Sequence, residues 1–201
     1  MQADAEQLMK LARQGDPDAL GLLLEHYRGY LRLLARLQIH RRLQGKADAS
    51  DIVQETFLKA NLGFDEFQGQ TERQLLQWLR QILASRLAGL VRRYYQTQQR
   101  DPRLERDMAR ELDRSSMALD RALLAGESSP SHGAARREQA VLLAEALEQL
   151  PEDYREVIIL HNLQGLTFSN VADQMHRSPE AVRKLWIRGL AKIRSLLGDH
   201  S

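Results

Sequence analysis

Residues 166–190 read Leu166-Thr-Phe-Ser-Asn-Val-Ala-Asp-Gln-Met-His-Arg-Ser-Pro-Glu-Ala-Val-Arg-Lys-Leu-Trp-Ile-Arg-Gly-Leu190, and the fold is decided here. Ser178 is of the type that caps a helix start, and Pro179 follows at the first helical position, where a missing N–H costs nothing. From there Val182, Leu185, Trp186, Leu190, Ile193 and Leu197 repeat at three- and four-residue spacing, the apolar stripe of an amphipathic helix. Arg183, Lys184, Arg188 and Lys192 fall largely off that stripe. Just upstream, Phe168, Val171, Ala172 and Met175 make a shorter stripe, with the small Ala172 where two crossing helices must approach closely. A helix, a tight turn and a second helix with a basic outer side form a helix-turn-helix, whose second helix enters the DNA major groove. His176 stands at the turn position usually given to Gly; the position predicts a positive φ, which His tolerates better than a β-branched residue does. A surface helical hairpin with solvated arginines has the same pattern, so the motif alone leaves both readings open.

Working back from this stretch, Gly165 ends a helix over 152–163 and Pro151 separates it from another over 136–150, marked by Ala140, Leu143, Leu147 and Leu150. Residues 95–135 change character. Gln and Arg dominate first, then come Ser115-Ser116 and the turn-rich 126–133, so the span reads mainly as a polar linker with a weak helix around 103–125. The N-terminal part is helical again. A first helix over about 4–14 ends at Gly15, and Asp16-Pro17 restarts the chain as N-cap and first helical residue. Leu20, Leu24, Tyr27, Leu31 and Leu34 then predict one long amphipathic helix. The segment 46–60 predicts another, with Val53, Phe57 and Ala60 buried and Asp48, Asp51 and Glu55 on the opposite side. Residues 63–70 form a loop with exposed-looking Phe64 and Phe67, before a Thr71/Gln74 capping box opens a helix to about Tyr94. Leu76, Leu79, Leu83, Leu87 and Leu90 line one side of that helix, and Arg73, Arg80, Arg86, Arg92 and Arg93 supply charge. No segment alternates as a strand does, so the expected class is all-α, two small helical domains joined by a polar linker.

Composition narrows the function. A hydrophobic share of 43% suffices for compact cores, and no run of eighteen apolar residues or N-terminal apolar h-region predicts a membrane span or secretory signal. The chain has no Cys, which removes disulfides, thiolate metal sites and cysteine nucleophiles together. Net charge is only +2, but it is unevenly spread: residues 71–110 carry nine Arg/Lys against four Asp/Glu, and 179–197 carry five against one. Two separated basic helical regions suit two contacts with one polyanion, although basic faces are also ordinary solvated surfaces.

The order of these features resembles the ECF sigma factors, the smallest members of the principal bacterial sigma family, over nearly the whole chain. Three stretches carry the resemblance. Asp48-Ala-Ser-Asp51-Ile-Val-Gln54-Glu55-Thr-Phe57 resembles the segment that grips the clamp helices of core RNA polymerase. Phe67 through Arg93, with Trp78-Leu79 inside it, resembles the part that melts and reads the −10 promoter element. Leu150-Pro-Glu-Asp-Tyr-Arg155 followed by the helix-turn-helix is similar to the domain that reads the −35 element. Family members often carry Asn and Asp where this chain has Ser85 and Gly89.

The resemblance implies three parts: 1–94 for polymerase binding and the −10 element, a linker over 95–135, and 136–201 for the −35 element. Polymerase contacts are expected from Asp48, Asp51, Gln54 and Glu55; capping and solubility offer a structural explanation of the same acids. Base capture needs stacking surfaces and hydrogen-bonding side chains, which Phe64, Phe67, Gln68, Gln70 and Trp78 supply. Trp78 fits a core role as well. Arg73, Arg80, Arg92 and Arg93 suit phosphates. In the second domain Ser178, Glu180, Arg183, Lys184, Arg188 and Lys192 are the expected promoter contacts. Implied partners are core RNA polymerase, through its clamp helices and flap, promoter DNA, and an anti-sigma factor or other regulator, in the cytoplasm, with no membrane and no cofactor.

Two other functions compete. A stand-alone helix-turn-helix regulator requires a ligand or dimerisation domain, whereas the first domain here has nucleic-acid features of its own. An enzyme acting on nucleic acid requires a metal-binding carboxylate cluster or an activated nucleophile. The row Asp48, Asp51 and Glu55 lacks a His partner, and a Gly-rich phosphate loop is absent.

Overall fold

The computed structural model describes residues 5–43, 47–95, 102–123 and 133–198. All regular structure among them is helical, in two compact units, Met1–Arg114 and Ser115–Ser201. Among the described residues no helix is long and apolar enough to cross a membrane.

The first unit follows its caps. Helix α1 (Ala5–Arg13) stops at Gly15, whose φ of 88° is left-handed and therefore suits glycine. Asp16 caps α2 (Pro17–His26), its carboxylate accepting from the amides of Asp18 at 3.0 Å and Ala19 at 3.1 Å. The single long helix expected through Leu34 is instead two, because the chain breaks at Tyr27 before α3 (Arg28–Leu43). Tyr27 is fully buried, and its hydroxyl donates to Glu72 at 3.1 Å. The amide of Leu31 still reaches the carbonyl of Tyr27 at 3.0 Å, so the apolar stripe crosses the break without losing its period. Asp48 caps α4 (Ala49–Gly63), a short 3-10 turn covers Phe64–Glu66, and α5 (Glu72–Tyr94) begins at the Thr71/Gln74 capping box. Helices α3, α4 and α5 pack pairwise, burying Leu31, Leu34, Val53, Phe57, Leu79, Leu83 and Leu87. Burying a side chain of that size is worth about 1.5–3 kcal/mol, which outweighs the weak helix preference of the β-branched and aromatic members.

Residues 102–123 differ from the linker reading. They form one helix, α6 (Pro102–Leu123), and the boundary between the two units falls within it. Leu104, Met108 and Leu112 lie at four-residue spacing, and the last two are fully buried. Three ion pairs bind this half of α6 to the first unit: Glu111 with Arg42 at 2.9 Å, Asp113 with Arg80 at 2.8 Å, and Glu105 with Arg92 at 3.3 Å. The turn-rich stretch with Ser128 and Ser129 lies outside the described residues.

The second unit has α7 (Gly133–Glu148), α8 (Glu152–Ile158), a π-turn over Ile159–Leu163, α9 (Phe168–Gln174) and α10 (Pro179–Gly198). Helix α10 packs against α7, α8 and α9. Its crossing with α8 is close at Gly189, where a Cβ would lie 2.9 Å from Cδ1 of Ile158 and 3.3 Å from Cβ of Tyr154. Gly165, with a φ of 73°, ends the widened turn, and the amide of Leu166 closes on the carbonyl of Leu160 at 3.0 Å.

Candidate nucleic-acid interface

The helix-turn-helix is present as its sequence predicts. Thr167 caps α9, Val171 and Ala172 are buried, and His176 turns the chain with a φ of 52°, the left-handed value expected at that position. The hydroxyl of Ser178 accepts from the amide of Ala181 at 3.2 Å, so this candidate contact is occupied as an N-cap. Beyond it Val182, Gly189 and Ile193 face inward. Glu180, Arg183, Lys184, Arg188 and Lys192 are all exposed on the other side of α10. Among them stands Ile187, 59% exposed, which the sequence reading passed over. Its spacing was the available signal: it follows Arg183 by four residues and Lys184 by three, so it shares their face.

In the first unit the structure divides the −10 candidates. Phe64 is a correction: it is 5% exposed, a core residue rather than a loop aromatic, because the 3-10 turn folds it under α5. Phe67 and Trp78 are half-buried and stack at 4.8 Å with 24° between their planes. Gly69 makes this packing possible, since a Cβ there would fall 2.3 Å from the Phe67 ring and 2.8 Å from Cβ of Gln74. Arg13, which no local pattern marks, donates to the carbonyl of Gly69 and lies over Phe67, 5.9 Å from the ring centre. Gln68, Gln70 and Arg73 are exposed beside this stack.

Arg80 and Arg92 do not stand open. Arg80 is held by Asp113 and by the Tyr30 hydroxyl at 3.2 Å, and only 16% of its side chain is exposed. Burial works against its charge, yet Tyr30 and Asp113 together raise its pKa above the ordinary arginine value. Arg92 pairs with Glu105. Arg93 is exposed and reaches Glu55 at 3.6 Å.

The acidic row on α4 loses one member to capping. Asp48 accepts from the amide of Ser50 at 2.7 Å and sits before the helix rather than on its outer side, a correction to the reading that grouped it with Asp51 and Glu55. Asp51 and Gln54 are exposed and Glu55 is half-exposed. Leu58 and Leu62 continue the same face at seven and eleven residues from Asp51, and Leu62 is 83% exposed. An outward face that is acidic at one end and apolar at the other suits a protein partner better than solvent.

Comparison with known proteins bears on both units. The family model described as Sigma-70 region 2 matches residues 26–100, and that described as Sigma-70, region 4 matches residues 140–193. An ECF RNA polymerase sigma-E factor from Haemophilus influenzae is 26% identical over 168 residues, 84% of this chain and 82% of the relative. The RNA polymerase sigma factor CarQ from Myxococcus xanthus is 28% identical over 192 residues, 95% and 96% of the two chains. The chain belongs to the ECF sigma factors of bacterial RNA polymerase. As a sigma factor it directs transcription initiation, and core polymerase and promoter DNA follow as its partners. The region 2 match also decides against a stand-alone helix-turn-helix regulator, which has no use for that domain. A solved structure of CnrH in complex with the cytosolic domain of CnrY is 23% identical, spans 98% of this chain and 100% of that one, and superposes with a TM-score of 0.36.

Proposed function

We propose that α10 reads the −35 element, that the Phe67–Trp78 stack with Gln68, Gln70 and Arg73 captures an unpaired base of the −10 element, and that the outer face of α4 docks on core polymerase. The observation that carries the reading is the outer side of α10, where Arg183, Lys184, Arg188 and Lys192 surround an exposed Ile187. Arginine pairs with guanine edges, an apolar side chain fits the thymine methyl, and lysines toward the far end suit phosphates. Glu180 and the helix start at Ser178 lie nearest the end of α10 that meets base edges.

In this reading residues 1–94 serve polymerase and the −10 element, 136–201 serve the −35 element, and the stretch between, α6 included, joins them in sequence. Clamp-helix contacts come from Asp51, Gln54 and Glu55, extended by Leu58 and Leu62. The protein acts in the cytoplasm as a subunit of the polymerase and catalyses nothing itself. An anti-sigma factor or other regulator is a further partner that rests on family membership alone.

The test is run-off transcription by reconstituted holoenzyme across a panel of −35 variants. Arg183→Ala and Lys184→Ala flatten discrimination at single positions by about 1–3 kcal/mol each, whereas Lys192→Ala lowers output evenly. Replacing a −35 thymine with uracil costs about threefold at the position facing Ile187, for one lost methyl contact, and costs nothing in Ile187→Ala. If the ranking of promoters survives all of these substitutions, α10 is not the reader.

A further inference from the structure

Arg183 is exposed, but it does not extend freely into solvent. Its guanidinium carbon lies over the ring of Phe168, 5.6 Å from the centre. Phe168 is in turn stacked by His161 at 4.0 Å and 22°. The Trp186 ring meets both edge-on, 5.5 Å from Phe168 and 5.6 Å from His161. Two hydrogen bonds fix the rings. Nδ1 of His161 lies 2.8 Å from the carbonyl of Leu166, which can only accept, so this nitrogen carries the proton. The indole N–H of Trp186 donates to the side-chain oxygen of Asn162 at 2.8 Å.

His161 and Asn162 both belong to the π-turn, where the amide of Gln164 reaches back five residues to Ile159 at 3.0 Å. Such turns insert an extra residue into a helix, re-aim its side chains and often mark functional positions. Here the consequence is that two neighbouring residues both touch rings of the helix-turn-helix.

Packing of the small domain accounts for half-buried Phe168 and Trp186. It does not require Arg183, whose exposed charge gains only a weak attraction from lying over a ring on the outer side of α10. A guanidinium held over a ring has fewer orientations open to it, while its N–H groups remain available to pair with O6 and N7 of guanine. We propose that Phe168, backed by His161, is a positioning residue that sets the base preference of Arg183 at one −35 position, the preferred base being guanine. The proposal rests on the reading of α10 given above.

The experiment measures transcription by reconstituted holoenzyme over all four bases at each −35 position, for the parent chain, Phe168→Leu, Phe168→Tyr, Arg183→Ala and the double variant Phe168→Leu/Arg183→Ala. In Phe168→Leu the preference for guanine at one position drops about tenfold, and it is the same position that Arg183→Ala flattens. Phe168→Tyr keeps its ring and retains the preference. The double variant discriminates no less than Arg183→Ala alone, because the ring has nothing left to hold. An even loss over all promoters in Phe168→Leu, or losses that add in the double variant, overturns the proposal and leaves Phe168 a packing residue. If instead Arg183→Ala leaves every preference intact, the reading of α10 fails first, and this inference with it. Should Phe168→Leu not fold, as judged by its helical signal, His161→Gln removes the stacking ring and decides by the same position-specific comparison.

Discussion

Arg155 closes the end of α7 onto Leu150, its guanidinium donating to that carbonyl at 2.8 Å while also reaching the carbonyls of Leu147 and Glu148 at 2.9 Å each. One side chain thus satisfies two of the acceptors at the helix end, Leu147 and Glu148, and a third in the turn beyond it. This gives the Leu150–Arg155 stretch a structural meaning: Pro151 starts α8, and Arg155, one turn later, reaches back to seal the preceding helix. Arg155→Ala is expected to destabilise the second unit by about 2 kcal/mol, since hydrogen bonds from a charged donor are worth about 1.5–3 kcal/mol together with the carbonyls left dry. Arg155→Lys recovers only part, because one ammonium cannot span three acceptors as a planar fork does. Denaturant unfolding of the full chain checks both.

Two glycines inside helices make opposite predictions. At Gly89 a Cβ meets nothing nearer than a guanidinium nitrogen of Arg92 at 3.8 Å, so Gly89→Ala stabilises by about 0.5–1 kcal/mol through helix propensity. At Gly189 even a Cβ crowds Ile158 and Tyr154, so Gly189→Val destabilises by about 1–3 kcal/mol as an overpacked crossing. Thermal unfolding of the two variants should move in opposite directions.

His176→Gly should raise stability by about 0.5–1 kcal/mol, because the left-handed turn costs a side chain that glycine does not carry, offset in part by the greater freedom of the unfolded chain. His176→Val should lower it by more than that gain. Melting curves of both variants decide, and a more stable valine variant would contradict the account of the turn.

The outer face of α4 is tested by Leu62→Ser and by Asp51→Lys/Glu55→Lys. None of these side chains belongs to the core, so helical signal and melting temperature stay within about 0.5 kcal/mol of the parent. Affinity for core polymerase falls, by about tenfold or more for a well-packed interface leucine. Undiminished affinity in both variants would move the docking surface elsewhere.

Much of this molecule can be read locally. Asp16 with Pro17, Thr71 with Gln74, Ser178 with Pro179, and the left-handed Gly15, Gly165 and His176 are signals carried within four residues, and each marks the boundary found in the structure. What escaped the sequence depends on distant partners. Eight of the thirteen residues 102–114 are charged, and this polarity masked the spacing of Leu104, Met108 and Leu112. Arg80 and Asp113 are 33 residues apart, so nothing near Arg80 announces that it is occupied. Tyr27 hides a break because the hydrogen bond across it preserves the period on which helix assignment depends. Phe64 and Phe67 look alike in a loop; only the turn between them sends one inward and leaves the other stacked on Trp78.

Against promoter DNA, the acidic side of α6 would make the basic face of α5 an ion exchanger. Were a promoter phosphate to displace Asp113 from Arg80, the freed carboxylate would take up a cation from solution. The cation that DNA gives up on being neutralised is then recaptured by the protein, and the entropy of its release is lost. An exposed arginine such as Arg73 has no such debt. The salt dependence of promoter binding should therefore count fewer charges than the face carries, and Asp113→Asn should steepen it by up to about one charge.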